Sequence, residues 1–161
     1  MPDIVLATLN ARWAHASFAL RYLMANLGEL AGRAVLREFD ISQRPVDVAE
    51  AILAESPRVV GLGVYIWNAA ETERLVLILR RVAPDVIIVL GGPEVSYETD
   101  DQPICRHAHH IVRGEADLVF AGLCRDLLAG RAAPRILDAP PPSMDGVLLP
   151  YDLFDDADLA R

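Results

Sequence analysis

At 161 residues the chain is long enough for one domain that buries roughly 70% of its unfolded surface without a disulfide or structural metal. Its hydrophobic fraction of 53% with only 6% aromatic residues points to an aliphatic α/β core, and its net charge of −8 argues against nucleic acid as a partner. All fifteen basic residues are arginine, which excludes a Schiff-base lysine, a phosphate-loop lysine and the lysine that two-component receiver domains require.

Asp3 to Leu9 reads as a first strand, followed by a helix from about His15 to Leu30 with Phe18, Leu20, Leu23, Met24 and Leu27 at helical spacing. No apolar run approaches the ~18 residues of a membrane span, and the first residues lack the basic start of a signal peptide, so a cytoplasmic protein is expected. Ala34 to Phe39 is a less apolar second strand, expected nearer an edge. A short helix from Pro45 or Val46 to Glu55 is stopped by Ser56-Pro57. Val59 to Val64 is strand three, broken by Gly61 and Gly63. Asn68 suits an amide cap for a helix from Ala69 to Val82, which has Glu71 and Glu73 early and Arg80 and Arg81 late, as the helix dipole favours.

Val86 to Leu90 is an uninterrupted aliphatic run, the pattern of a central parallel strand covered on both faces, and it runs into Gly91-Gly92-Pro93. Tyr97 to His109 reads as a polar loop with a single helical turn. His107, His109 and His110 have metal-like spacing, but adjacent strand residues point to opposite faces, so no shared ion is expected. His110 to Arg113 is a fifth strand, and a helix runs from Glu115 or Ala116 to Leu128, ended by Gly130. The two cysteines, Cys105 and Cys124, are expected as reduced thiols and are too few for an iron–sulfur cluster. Residues 132–161 carry Pro134, Pro140, Pro141, Pro142 and Pro150, and six aspartates against one arginine from Asp138 onward. They read as a linker or an arm that docks elsewhere.

This order predicts a three-layer α/β/α flavodoxin-like (Rossmann-like) sandwich on a five-stranded parallel sheet, order 2-1-3-4-5. Its switch point lies between strands one and three, where the loops Asn10 to Ala16 and Tyr65 to Asn68 should open. Gly61-Leu62-Gly63 is no dinucleotide fingerprint, because the third glycine would fall at Ile66. The first loop lacks the Ser/Thr and Gly run that wraps a flavin phosphate. Where a receiver domain needs acids, the chain has Asn10 and Tyr65.

A glycine-interrupted third strand with a Gly-Gly-x-x-x-Ser turn after the fourth resembles the cobalamin (vitamin B12)-binding domains of corrinoid enzymes. GGPEVS at 91–96, YIWN at 65–68 and RGEAD at 113–117 are similar, more narrowly, to the amino-terminal cobalamin-binding domain of radical S-adenosylmethionine enzymes, over residues 1–130. The resemblance implies a slot at the sheet's carboxyl edge for the cofactor's nucleotide tail, where glycines let a planar base approach the backbone. It assigns Asn10, Arg12, Trp13 and His15 in the first loop to cobalamin binding. Gly61, Gly63, Tyr65, Trp67 and Asn68 around strand three, Gly91, Gly92, Pro93, Glu94 and Ser96 after strand four, and Gly114 and Glu115 after strand five complete the set. Trp13 and Trp67 would cover a macrocycle. Arg12 would meet a propionamide, the cofactor phosphate or only a helix end, and Glu94 and Glu115 either accept from corrin amides or hold their loops.

Two departures bear on the chemistry. The Asp-x-His-x-x-Gly motif whose histidine ligates cobalt is replaced by Asn10-Ala11-Arg12-Trp13-Ala14-His15, and His15 is read as a helix-start histidine bonded locally rather than a ligand from a shifted position. The CxxxCxxC motif is absent, so residues 1–131 are expected to form the cobalamin-binding domain and 132–161 a linker towards a radical S-adenosylmethionine domain. That domain would bring the [4Fe-4S] cluster and S-adenosylmethionine. No catalytic residue and no metal ligand are expected in this chain, and the alternative is a stand-alone flavodoxin-like protein binding a nucleotide or flavin.

Overall fold

The computed structural model describes residues 1–11 and 15–159. Six parallel strands form one sheet in the order β2-β1-β3-β4-β5-β6: β1 Ile4–Asn10, β2 Ala34–Asp40, β3 Val59–Gly63, β4 Ile87–Gly91, β5 His110–Gly114 and β6 Ile136–Ala139. The expected five-strand sheet is therefore one strand short, because β6 lies in the stretch taken for linker. It is short and flanked by Pro134 and Pro140, which disguise it in the sequence, yet it pairs Ile111 with Ile136 through Gly114 with Ala139. Its position at the sheet edge is where flanking prolines are tolerated.

Alternation along the strands sends side chains to two separate cores. Val5, Ala7 and Leu9 of β1, Val60 and Leu62 of β3, and Ile88 and Leu90 of β4 pack beneath helices α2 (Pro45–Leu53) and α3 (Ala69–Val82). Ile4 and Leu6, Val59, Val89 and Val112 face α1 (Phe18–Ala25) and α5 (Val119–Leu128) on the other side. Both faces being covered explains why β1 and β4 are aliphatic without a polar stripe.

The first helix is shorter than the expected His15 to Leu30. Ser17 caps it, its hydroxyl accepting the Leu20 N–H at 3.3 Å, and Asn26 ends it. Gly28, at φ +58°, turns the chain into a 3₁₀ segment, Gly28–Arg33. The helix α5 starts at Val119 rather than 115 or 116. Asn68 stands at the start of α3 but makes no side-chain cap, for a reason given below. The loop after the short helix α4 (Pro93–Ser96) contains a 3₁₀ turn, Pro103–His107, whose Ile104 and Cys105 complete the α2/α3 core.

Beyond β6 the chain crosses from the sheet edge to α1. Leu148 is clasped at both backbone atoms by Asn26, whose amide nitrogen donates to the Leu148 carbonyl at 3.0 Å and whose amide oxygen accepts the Leu148 N–H at 2.8 Å. Further on, Arg21 of α1, 4% exposed, donates to the Leu153 carbonyl at 3.3 Å and pairs with Glu38 at 3.1 Å and Asp158 at 2.7 Å. The guanidinium lies 4.7 Å from the Phe154 ring centroid, and Phe18 packs against Phe154 and Tyr151. One aspartate of the acidic arm, Asp158, is thus paired with a buried arginine.

Candidate functional site

Each of β3, β4 and β5 ends on the α1/α5 face in a glycine, Gly63, Gly91 and Gly114, with Gly63 in register with Gly91. The last side-chain layer on that face is therefore missing. A cavity of about 720 Å³ fills the gap, within the usual size for a small-molecule site. The glycines form its floor. Phe18, Tyr22 and Leu23 of α1 wall it on one side and Phe120 of α5 on the other, with Met144 and Val147 of the arm across the outside.

The glycines do different jobs. A Cβ built at Gly91 meets nothing nearer than the Val112 carbonyl oxygen at 3.8 Å, and one at Gly63 meets Thr8 and Tyr65 side chains at 3.4 Å, so both positions leave room that the backbone does not need. At Gly61 a Cβ would press on Leu6 and Phe120 at 3.0 Å, so this glycine lets Phe120 lie on the sheet. Gly92 was expected to clear the strand end for a ligand, but its φ of +111° with ψ 169° is open only to glycine, and a Cβ there would lie inside 3.0 Å of the Val64 carbonyl oxygen. Gly114, at φ +86°, has the same constraint against the Ala139 carbonyl of β6.

Of the other residues singled out in the sequence, Tyr65, Pro93, Ser96 and Glu115 line this cavity and Asn10, His15, Trp67, Asn68 and Glu94 do not. Arg12 and Trp13 lie outside the described residues. Asn68 is wholly buried and fully engaged: its amide nitrogen donates to the Leu9 and Gly63 carbonyls at 2.9 and 3.1 Å, and its oxygen accepts the Tyr65 N–H at 2.8 Å. It staples β1 to the end of β3, which is why it does not cap α3. Asn10 likewise serves the fold, donating to the His15 carbonyl at 2.9 Å and to Glu38 at 3.4 Å. The His15 ring is exposed. Glu94 accepts from Gln102 at 3.4 Å.

Ser96 bridges the two turns, donating from its hydroxyl to the Gly92 carbonyl at 2.8 Å and accepting the Gly114 N–H at 3.1 Å. The Glu115 N–H donates to the Ala139 carbonyl at 3.0 Å, so β6 holds the end of β5 as well. Tyr65 stacks flat on Trp67, centroids 4.5 Å apart and planes 5° from parallel, and burial pushes its phenol pKa up. Trp67 is 42% exposed, Ile66 and Tyr97 more so, giving an aromatic rim at the carboxyl edge.

The sequence pointed both to the loops at the switch point between β1 and β3 and to the glycine turns after strands three, four and five; the cavity lies over β3, β4 and β5, where the glycine layer is. The sequence also missed Phe18, Tyr22, Phe120, Met144 and Val147. For Phe120 a signal existed: a large aromatic in the helix over a strand that lacks a side chain at Gly61.

No described basic side chain lines the cavity, and Glu115 and Asp117 give it acidic groups. Among the described residues no group of three or more His, Cys, Asp or Glu is placed to hold a metal ion. The histidines have separate partners: the His109 Nδ1 accepts the Ile88 N–H at 2.9 Å while Arg80 contacts its other ring nitrogen, and the His110 Nδ1 lies 2.7 Å from the Pro134 carbonyl oxygen. Both cysteines are buried and free, and burial pushes the Cys124 thiol up to about 12. Among the described residues no helix is long and apolar enough to cross a membrane.

No curated protein matches the chain. Among solved structures, the radical S-adenosylmethionine methyltransferase TsrM from Kitasatospora setae, solved with tryptophan substrate and a S-adenosylmethionine analogue, superimposes with a TM-score of 0.63 at 22% identity, over 81% of this chain and 26% of that one. A cobalamin-binding protein from Desulfitobacterium hafniense DCB-2 superimposes with a TM-score of 0.57 at 16% identity, over 78% of this chain and 58% of that one. At these identities the likeness is one of fold, and the present chain spans only part of either neighbour. The B12 binding domain family model matches residues 4–124, which contain the sheet from β1 to β5 and the whole glycine layer, and the chain belongs to that family.

Proposed function

We propose that this chain binds cobalamin with the nucleotide tail in the glycine-floored cavity, and that it is the cobalamin-binding module of a radical S-adenosylmethionine enzyme. The observation that carries the first part is the missing side-chain layer. Gly63 and Gly91 have ordinary strand surroundings with space for a Cβ, yet stand open over a 720 Å³ cavity, as a flat base lying against the backbone requires. Leu23, Phe120, Met144 and Val147 give that base apolar walls, and Ser96 holds the two turns that frame it. The Tyr65–Trp67 stack and Tyr97 at the rim suit the edge of a large macrocycle.

The cofactor when bound would supply alkyl-group transfer or electron transfer at cobalt, while this chain binds and orients it. Likeness to TsrM, of which the chain covers about a quarter, supports a larger parent enzyme in which residues 132–161 lead on to a radical S-adenosylmethionine domain with its [4Fe-4S] cluster. Methyl transfer or a related radical reaction would belong to that parent, in the cytoplasm. A parent gene encoding CxxxCxxC downstream of residue 161 supports this arrangement, and its absence overturns it.

Flavin mononucleotide fits the site less well. Its terminal phosphate dianion would meet Glu115 and Asp117 and no described basic side chain, whereas cobalamin's single phosphodiester charge is offset within the molecule by the cobalt centre. Titration with hydroxocobalamin and with flavin mononucleotide, followed by absorbance and calorimetry, tests the reading. Saturable cobalamin binding alone is expected; flavin binding without a cobalamin response overturns it.

A further inference from the structure

The arm of residues 140–158 runs from β6 across the mouth of the cavity to α1, and it does more than lead out of the domain. Pro141, Pro142, Met144 and Val147 line the same cavity as the glycines. Beyond them the arm is fastened at Leu148 and again between Tyr151 and Asp158. The Asn26 amide holds the Leu148 backbone at both of its polar atoms, and Phe154 and Asp158 sit on Arg21, whose other carboxylate partner, Glu38, anchors it to β2. The Arg21, Glu38 and Asp158 side chains are 5%, 5% and 6% exposed, so this is a buried cluster rather than a surface pair.

A planar group seated on Gly63 and Gly91 would lie in a cavity lined by both the sheet and the arm. Resting on the cobalamin reading, we propose that the arm is the outer wall of the tail slot. Arg21 is then a positioning residue, remote from the ligand, that sets how fast the tail escapes. The corrin ring would remain outside the wall and indifferent to it.

Removing Arg21 itself would leave Glu38 buried without its guanidinium, so the test acts on the arm side. The double variant Phe154→Ala/Asp158→Asn keeps α1, β2 and every cavity residue intact. In the full chain, dissociation of methylcobalamin is compared with that of methylcobinamide, which lacks the nucleotide tail, each chased with excess hydroxocobalamin. Loss of about 1.4 kcal/mol of arm fastening corresponds to a tenfold larger open population, so methylcobalamin should leave roughly tenfold faster while methylcobinamide is unchanged. A second variant, Met144→Gly, removes wall without touching the anchor and should show the same selectivity. Equal acceleration of both ligands, or of neither, overturns the proposal while leaving cobalamin binding intact. A wild-type chain that binds neither corrinoid overturns the cobalamin reading and this one with it.

Discussion

The two faces of the same sheet differ most at the carboxyl ends of its strands. Under α2 and α3 the final positions are Leu62, Val64 and Leu90, all at most 2% exposed, with Val95 closing the layer. Under α1 and α5 the neighbouring positions are Gly63, Gly91 and Gly114, and a cavity stands where that layer would be. One face supplies cohesion and the other gives up packing to hold space. Since strand neighbours point to opposite faces, a single stretch such as Leu90-Gly91 serves both ends at once.

The largest loss of stability is expected on the filled face. Leu90→Ala should cost ~2–5 kcal/mol, because a fully buried side chain between strands and α3 leaves a void its neighbours fill incompletely. Denaturant unfolding reads this directly, and a loss under about 1 kcal/mol would show that the face is not tightly packed.

Gly92→Ala separates backbone need from ligand need. The left-handed φ and the approach to the Val64 carbonyl should cost roughly 1–3 kcal/mol of stability whether or not cobalamin is present. An unchanged melting temperature would place Gly92 with Gly91 as a space-leaving residue.

A smaller effect is expected from pH on the filled side of the sheet. Burial first, then Arg80 and His110, lower the His109 pKa below its ordinary 6.5, in keeping with a ring that accepts the Ile88 N–H. Below pH 6.5 the unfolded chain therefore binds the proton that the folded chain refuses. This contribution is whole above that pH and is lost as pH falls through the folded value. The loss of stability between about pH 7.5 and 5.5 should shrink in His109→Asn. Identical pH profiles would assign the acid sensitivity to other groups.

The smallest expected effect is none. With the nucleotide tail in the slot and no described histidine lining the cavity, electron paramagnetic resonance of the bound Co(II) form should show no nitrogen superhyperfine splitting. His15→Ala should leave the spectrum alone. Triplet splitting that vanishes in that variant would make His15 an axial ligand.

Strands β3 and β4 were legible because aliphatic runs ended by glycine have few other uses in a parallel α/β chain. β6 was not, since four residues between prolines carry neither length nor periodicity. The arm read as a linker or a segment docked elsewhere, and its seat on α1 was hidden because Arg21 and Asp158 are far apart in the chain. Glycines 63 and 91 could be found from sequence, but the division between glycines that leave space and those that permit a backbone angle needed φ. Asn68 was recognised as special, and its role as a staple depends on the Leu9 carbonyl of β1 together with the Gly63 carbonyl and Tyr65 N–H at and beyond the end of β3, which no local pattern brings together.

The central claim is that the missing layer on the α1/α5 face exists for the cofactor, and Gly91→Val tests it most directly. Valine suits a strand, and the space above Gly91 is free, so stability should stay within about 1 kcal/mol of wild type. The same side chain would occupy the cavity floor, and cobalamin affinity measured by calorimetry on the same preparation should fall by at least about tenfold, or 1.4 kcal/mol. A variant that is as stable as wild type and binds cobalamin equally well would contradict the account.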